Sequence, residues 1–200
     1  MKKVMIAIPT LNTVHIKFVG SLVSLLFHQI ENVEFRLQFV QDSMTYTARN
    51  HLAEQAMKEE CDYVLWIDSD MTFPADAMER LLTHDKDMVT ALYFQRRGKH
   101  LPVIYKENYD ESYANYPKDK LFQVKACGFG MVLMRTEVLR KTLEANDGCL
   151  FHPFPSMGED LSFCHRWTQT GGKIWCDSSV KCGHVGEYEY TEADYETNGV

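Results

Sequence analysis

The sequence predicts an α/β protein in which a mostly parallel β-sheet is flanked by helices. Two observations carry this prediction. Strand-like and helix-like segments alternate over residues 3–94, and the composition is that of an ordinary globular chain, with 45% hydrophobic and 24% charged residues. Strands that alternate with helices are joined by crossovers, which make neighbouring strands parallel. The length of 200 residues suits one compact domain with its own core.

The elements of the first half follow from their hydrophobic periods. Strand-like segments, rich in consecutive apolar residues, occupy residues 3–9, 35–40, 62–67 and 87–94. Helix-like segments, with apolar residues three and four positions apart, occupy residues 16–30, 46–60 and 75–85. Pro74 suits the first position of the third helix. The predicted order is therefore βαβαβαβ.

The second half is less regular. A short strand is predicted at 101–105, followed by two short strands around a glycine-rich bend within 122–135. Helices are predicted at 136–146 and 158–172, and Gly171 and Gly172 end the second of them. Separate strand-like pieces follow at 173–177 and 180–186.

Charge and cysteine content narrow the class of protein. The net charge is −7, and residues 186–200 hold five acidic residues with no lysine or arginine, which indicates a solvated acidic tail. The basic cluster at 96–100 is too small to argue for nucleic-acid binding. Six cysteines without a CxxC pair indicate reduced thiols, and no apolar run approaches a membrane span. We therefore expect a cytoplasmic protein.

Two aspartates directly follow the third predicted strand, in VLWIDSDMTFP at 64–74. Ligands of open α/β sheets bind at the carboxyl ends of strands. Residues two apart in an extended chain point the same way, so Asp68 and Asp70 can face one ion while Ser69 turns aside. Carboxylate oxygens suit Mg²⁺ or Mn²⁺, with phosphate oxygens completing the shell. The pair therefore predicts a divalent-metal site.

Two alternatives stay open at this point. DSDMT also fits the DxDxT motif of haloacid-dehalogenase-like phosphatases, in which Asp68 would be the nucleophile and Asp70 the acid. That motif normally closes the first strand of its fold, whereas two strand–helix units precede it here. A non-enzymatic zinc-binding module is the second alternative, although its ligands lack a CxxC pair. Those ligands would be Cys164, His165, Cys176, Cys182 and His184.

Five segments, in order, resemble the GT-A nucleotide-sugar glycosyltransferases, particularly glycosyltransferase family 2 and its short phage-associated relatives. IAIPTLN is similar to their opening strand and nucleotide-contacting loop, and TARNHLAEQA to their AARN helix start. IDSDMTFPADAMERLL resembles the DxD strand with its helix. CGFGMVLMRTEVL and GEDLSFCHRWTQTGGKIW resemble the strand before the acceptor side and the ED helix. The resemblance implies a GT-A domain over 1–185, with a nucleotide-binding half at about 1–95 and an acceptor-side half at about 96–185.

The resemblance also implies roles for individual residues. Catalysis with inversion would use Asp160 as the general base, with Glu159 beside it. The metal, Mn²⁺ or Mg²⁺, would be held by Asp70, Asp68 and His184. The segment before TARN is shorter than in common family members, and Asp42 would take the base-contacting role there. The nucleotide-sugar site would comprise Pro9, Thr10, Asn12, Asp42, Arg49, Asn50, Asp68 and Ser69. The acceptor side would comprise Tyr93, Arg96, Arg97, Phe129 and Gly130.

The implied partners follow from the same resemblance. The donor would be a nucleotide-diphosphate sugar, with a UDP-sugar favoured, and the acceptor a hydroxyl group of a glycan, a protein or a modified DNA base. The implied location is the cytosol of a bacterium or of a phage-infected host.

Overall fold

The computed structural model describes residues 1–96 and 98–186, which form five helices and eleven strands. The strands are β1 (Lys2–Thr10), β2 (Val33–Gln41), β3 (Tyr63–Ile67), β4 (Met71–Thr72), β5 (Met88–Leu92), β6 (Ile104–Tyr105), β7 (Leu121–Val124), β8 (Ala126–Cys127), β9 (Met131–Arg135), β10 (Ile174–Lys181) and β11 (Gly183–His184). The helices are α1 (Ile16–Phe27), α2 (Thr45–Lys58), α3 (Ala77–Thr83), α4 (Thr136–Ala145) and α5 (Glu159–Gln169).

In the described residues a seven-stranded sheet runs in the order β2-β1-β3-β9-β5-β10-β7. Strands β2, β1 and β3 are parallel to one another, and β10 is parallel to β5. Strand β9 lies antiparallel between β3 and β5, and β7 is antiparallel to β10. Five of the seven strands therefore share one direction. The predicted single α/β domain with a mostly parallel sheet is confirmed.

Alternating residues of the central strands build two apolar cores on opposite faces of the sheet. Val4 and Ile6 of β1 belong to the core that includes buried residues of α1 and α3, while Met5 and Ala7 belong to the core that includes α2, α4 and α5. All five residues of β3 are buried. Burial on both faces explains why the central strands have continuous apolar sequences rather than alternating ones.

Three local predictions were wrong. Helix α3 begins at Ala77, and Pro74 instead accepts a turn hydrogen bond from the Ala77 N–H. Residues 121–135 form three strands rather than two. The first of the two pieces predicted at 173–177 and 180–186 extends without a break to Lys181 as β10, whose pairing with β5 is interrupted by a bulge between Asp177 and Lys181, and the second piece contributes the separate short strand β11. For the strands, pairing with distant segments set the boundaries, which local periodicity does not report.

A short antiparallel strand pair places the end of the described chain beside Asp68 and Asp70. Strand β11 pairs antiparallel with β4, so that His184 lies opposite Met71. The Val185 N–H also donates to the Asp70 carbonyl oxygen at 2.8 Å. His184 is therefore fixed beside the DSD segment by backbone hydrogen bonds.

Within residues 1–96 and 98–186, the chain has no helix with the length and hydrophobicity that a bilayer crossing requires. The six cysteines, all in this part of the chain, are free thiols. The acidic segment predicted at 186–200 lies, beyond Gly186, outside the described residues, and so does Arg97.

Candidate active site

A cavity of about 370 Å³ opens at the edge of the sheet where β1, β3 and β5 end and where α2 and α5 begin. Because parallel strands end at the same edge, polar residues from distant parts of the chain meet there. The cavity is lined by Pro9, Thr10, Leu11, Asp42, Thr45, Arg49, Asp68, Ser69, Asp70, Tyr93, Arg96, Glu159, Asp160 and His184. Most residues that the sequence indicated as donor, metal or catalytic residues are thus gathered around one space.

Two residues indicated for the nucleotide-sugar site do not line this cavity. The side-chain oxygen of Asn12 accepts a hydrogen bond from Gln41 at an exposed position. The side-chain oxygen of Asn50 accepts from the Phe151 N–H at 3.2 Å, which ties α2 to the loop before α5. Asn50 therefore has a structural contact instead of facing a ligand.

Phe129 and Gly130, the two residues of CGFGM that the sequence indicated for the acceptor side, contact residues that line the cavity. Phe129 is 1% exposed and belongs to the core, so it does not line the cavity. The Gly130 carbonyl oxygen accepts from the Asp68 N–H, and its N–H donates to the Tyr93 hydroxyl. A Cβ on Gly130 would lie 2.8 Å from the Tyr93 ring, so the absence of a side chain lets the tyrosine pack there.

A buried arginine, Arg49, joins the end of β3 to the start of α5 at the cavity. The Arg49 side chain is 2% exposed, and its Nη2 lies 2.8 Å from Oδ1 of Asp68 while its Nε lies 3.6 Å from Oε1 of Glu159. The guanidinium stacks 5.0 Å from the Phe129 ring centroid. Burial alone would lower the pKa of Arg49, but Asp68, Glu159 and Asp160 more than offset this and raise it. Arg49 is therefore a fixed positive charge.

Asp68 consequently has a different environment from Asp70. Burial raises the pKa of Asp68, and the charges of Asp70 and Glu159 add to this, against the opposing effect of Arg49. The tight ion pair with Arg49 holds the Asp68 carboxylate in place. The two aspartates, which the sequence predicts can face one ion, therefore have different neighbours.

Asp70 lies between the side chains of Arg96 and His184. Its Oδ2 is 2.8 Å from Nη1 of Arg96 and 3.6 Å from Nε2 of His184. Burial alone would raise the pKa of Asp70, but hydrogen bonding and charge from His184, with the charge of Arg96, lower it. Nδ1 of His184 lies 3.0 Å from the Phe94 carbonyl oxygen. A carbonyl can only accept, so Nδ1 donates to it, and this contact orients the ring with Nε2 toward Asp70.

Asp160 is a carboxylic acid with an elevated pKa at the start of α5. Burial, and then the charge of Glu159, raise the pKa of Asp160 to about 6. Its Oδ1 accepts a hydrogen bond from the Leu161 N–H at 2.7 Å, which orients the side chain. A partly buried carboxylate with a pKa close to neutrality can exchange a proton with a hydroxyl group at physiological pH.

Two lining residues, Leu11 and Thr45, were missed by sequence reasoning. Leu11 follows the end of β1, and Thr45 is the first residue of α2. Asp42 joins these elements, since its N–H donates to the Thr10 carbonyl and its Oδ1 accepts from the Met44 N–H. Their positions could have indicated Leu11 and Thr45, because each lies at a strand end or a helix start next to a residue that the sequence had already indicated.

The side chains available as metal ligands suit a divalent ion only in part. In the described portion of the chain, no three His, Cys, Asp or Glu side chains are grouped as metal ligands. Asp70 and His184 are close enough to share an ion, and Mg²⁺ or Mn²⁺ commonly takes few protein ligands plus phosphate oxygens. The residues therefore fit an ion that is completed by a substrate.

The zinc-module alternative lacks a ligand cluster in the described residues. Cys164 and Cys182 are buried, and their thiols contact the Cys127 carbonyl and Met131 respectively. His165 contacts the Tyr109 hydroxyl. Because these side chains have separate partners, the candidate zinc ligands do not converge.

Comparison with known proteins identifies the type of fold. Residues 27–123, slightly under half of the chain, match the model of the Anp1 family. The crystal structure of A197 from STIV matches with a TM-score of 0.62 at 18% identity, over 94% of this chain and 87% of that one. GalNAc-T7, crystallised with UDP, GalNAc and Mn²⁺, matches with a TM-score of 0.63 at 11% identity, over 94% of this chain. The chain has a GT-A glycosyltransferase fold.

Other comparisons define the extent of the GT-A likeness. S. aureus TarS 1–349 matches with a TM-score of 0.56 at 16% identity, over 92% of this chain and 60% of that one. This chain spans only 44% of the GalNAc-T7 chain. No match was found among curated proteins. In this GT-A fold the DSD segment follows β3, the third strand along the chain, whereas the phosphatase alternative required it to close the first.

Proposed function

We propose that this protein is a glycosyltransferase that moves a sugar from a nucleotide-diphosphate sugar, a UDP-sugar in the first instance, to an acceptor hydroxyl. One observation carries the proposal: in a GT-A fold, a single cavity joins Asp68 and Asp70 to a carboxylic acid, Asp160, whose pKa is raised to about 6. A fold neighbour, GalNAc-T7, was crystallised with UDP, GalNAc and Mn²⁺, which supports the choice of donor and ion to test.

The donor would enter between the ends of β1, β2 and β3. Pro9, Thr10 and Asp42 line this part of the cavity and would border the nucleotide base. Asp68 and Ser69 lie at the end of β3, where they would border the ribose and the diphosphate. Arg49 is occupied by Asp68 and Glu159, so its role would be to hold these carboxylates in position while contributing positive charge to the cavity.

Asp70 and His184 would hold Mn²⁺ or Mg²⁺, with Asp68 in support. When bound, such an ion supplies positive charge that offsets the charge developing on the departing diphosphate. The Phe94 carbonyl fixes the ring of His184, and the β11–β4 pairing fixes its backbone. His184 would therefore meet the ion without first having to be ordered.

Asp160 would act as the general base. The acceptor hydroxyl would attack the anomeric carbon as the bond from that carbon to the diphosphate oxygen breaks, and Asp160 would take the hydroxyl proton. Attack from the side opposite the leaving group inverts the anomeric configuration. Glu159, held near Arg49, would favour this by keeping the pKa of Asp160 high enough for proton transfer.

The acceptor would approach over Tyr93, which lines the same cavity. Burial, followed by the charge of Asp68, raises the pKa of Tyr93 well above its usual range, so its phenol stays protonated and can act as a hydrogen-bond donor. The acceptor class to be tested includes glycans, proteins and modified DNA bases. The free thiols support a reducing cytosol as the place of reaction.

The experiment is a panel of nucleotide-diphosphate sugars offered with Mn²⁺ or Mg²⁺, scored by thermal stabilisation and by slow donor hydrolysis. We expect at least one donor to raise the melting temperature in a metal-dependent manner, and Asp70→Ala to abolish that effect. If no donor binds, or if Asp70→Ala leaves metal-dependent binding unchanged, the proposal fails. Hydrolysis of generic phosphate esters that Asp68→Asn abolishes would indicate the phosphatase instead.

A further inference from the structure

One oxygen atom, Oδ2 of Asp70, is the point on which the proposed metal site depends. It lies 3.6 Å from His184 Nε2, so it is the oxygen of Asp70 through which an ion shared by these two residues would bind most directly. Arg96 already occupies it, with Nη1 at 2.8 Å. A guanidinium and a divalent ion repel each other at such a separation, and this repulsion is larger in a partly buried site than in water.

The backbone beside Arg96 is fixed by hydrogen bonds, whereas its side chain is partly exposed and has two polar contacts. The loop that carries it is closed by the Phe94–Pro102 bridge and by the hydrogen bond from the Gln95 N–H to the Leu101 carbonyl at 2.9 Å. Its side chain is 44% exposed, and the second contact of Nη1 is the Val185 carbonyl at 3.2 Å. The guanidinium can therefore leave Asp70 by side-chain rotation while the loop keeps its conformation.

A cavity beside Asp70 has room for the displaced guanidinium. Arg96 lines the candidate active-site cavity, and it also lines an adjoining cavity of about 630 Å³ that shares Leu11, Ser69 and Asp70. The planar fork of an arginine matches phosphate oxygens, to which it can donate two hydrogen bonds at once. A diphosphate in this space is thus within the chemistry that the side chain favours.

We infer that Arg96 occupies the cation position on Asp70 when no metal is bound, and that it transfers to the diphosphate of the donor when the metal takes that position. This assignment rests on the proposed function and replaces the acceptor-side role that the sequence indicated for Arg96. It makes Arg96 a residue that couples two binding events. Metal alone binds weakly because it must displace Arg96, whereas metal with a nucleoside diphosphate binds tightly because the displaced arginine gains a phosphate partner.

The test is a Mn²⁺ titration, followed by the electron paramagnetic resonance signal of free Mn²⁺, with and without UDP. Arg96→Gln removes the competing charge, and Lys99→Gln is the matched control because Lys99 is an exposed cation in the same loop. We expect Arg96→Gln to bind Mn²⁺ alone about three- to tenfold more tightly than the wild type. We expect the same variant to bind UDP about tenfold more weakly in the presence of Mn²⁺. Lys99→Gln should stay within about twofold for both ligands.

The two effects of Arg96→Gln have opposite signs, which a general loss of charge or of folding does not produce. The inference is overturned if Arg96→Gln binds Mn²⁺ no more tightly than the wild type, or if Lys99→Gln shows the same changes. Asp70→Asn separates this failure from that of the proposed function. If Asp70→Asn abolishes Mn²⁺–UDP binding while Arg96→Gln changes nothing, only the inference fails; if the wild type binds neither ligand, both fail.

Discussion

Replacing Asp160 with asparagine would remove a partly buried negative charge while keeping the shape of the side chain. The hydrogen bond from the Leu161 N–H can be retained, because the asparagine side-chain oxygen also accepts. A base is lost in the process. We therefore expect the substitution to lower activity and to raise the free energy of unfolding at pH 7, because the ionised carboxylate of the proposed base destabilises the fold.

The magnitudes follow from the pKa of Asp160, which burial and the charge of Glu159 raise from 3.8 to about 6. One pKa unit corresponds to about 1.4 kcal/mol, so at full burial the ionised form would destabilise the fold by about 3 kcal/mol at pH 7. Asp160 is partly exposed, and solvent screening lowers this to about 1–2 kcal/mol. Loss of a general base lowers kcat by about 10²- to 10⁴-fold.

The dependence on pH has a definite sign. The folded state binds more protons than the unfolded state between about pH 4 and pH 6, so the free energy of unfolding of the wild type falls as the pH rises through this range. Asp160→Asn should have the same stability as the wild type near pH 4 and exceed it at pH 7. For the wild-type enzyme, kcat/KM should fall about tenfold per pH unit below pH 6, because the protonated acid cannot accept the hydroxyl proton.

The assay pairs urea denaturation at pH 4 and pH 7 with sugar transfer, or slow donor hydrolysis, measured for both proteins from pH 5 to pH 8. Glu159→Gln is the matched control, since it removes the neighbouring charge without removing the proposed base. We expect it to lower the pH at which the rate falls and to retain most of the maximal rate. An Asp160→Asn variant with more than a tenth of the wild-type kcat would refute the assignment of the base.

Further substitutions test the contacts that build the site. Arg49→Met should lower the free energy of unfolding by about 2 kcal/mol in urea because it removes a buried cation from two partly buried carboxylates, whereas Arg36→Met, on the surface, should cost under about 1 kcal/mol; equal costs would contradict the buried role. Gly128→Ala places a Cβ 2.0 Å from the Tyr93 hydroxyl and should lower the melting temperature by several degrees together with activity; an unchanged melting curve would show that this packing is wrong. His184→Gln should raise the Mn²⁺ concentration needed for half-maximal activity by about 10- to 100-fold, measured by metal titration, and an unchanged requirement would remove this residue from the metal site.

Local periodicity was sufficient for the elements whose burial is decided within a few residues. Residues 4–9 of β1 and all of β3 are buried, and their continuous apolar sequences indicated this directly. The position of β9 was not predictable in the same way. Its sequence indicates a buried strand, but its insertion between β3 and β5 depends on pairing with segments more than 40 residues away along the chain.

For the site, the sequence indicated the residues but not their partners. The position of Asp68, Asp70 and Asp160 at strand ends and a helix start followed from motif and order. The ion pairs of Asp68 with Arg49 and of Asp70 with Arg96 did not, because they join residues from different elements. A motif alone treats the two aspartates as equivalent, whereas in the structure Asp68 pairs with Arg49 and Asp70 with Arg96.

By itself, the sequence determined the fold class, the end of the sheet at which polar residues collect, and the carboxylates that are available for chemistry. These properties depend on hydrophobic period and chain order, which are local. Only the tertiary structure decided that Asn50 and Phe129 support the site from outside the cavity, that Arg49 is buried between two carboxylates, and that Arg96 and His184 share one oxygen of Asp70. The physical reason is that charge, burial and hydrogen bonding act through space, so the role of an ionisable side chain is set by the groups that folding places within a few ångströms of it.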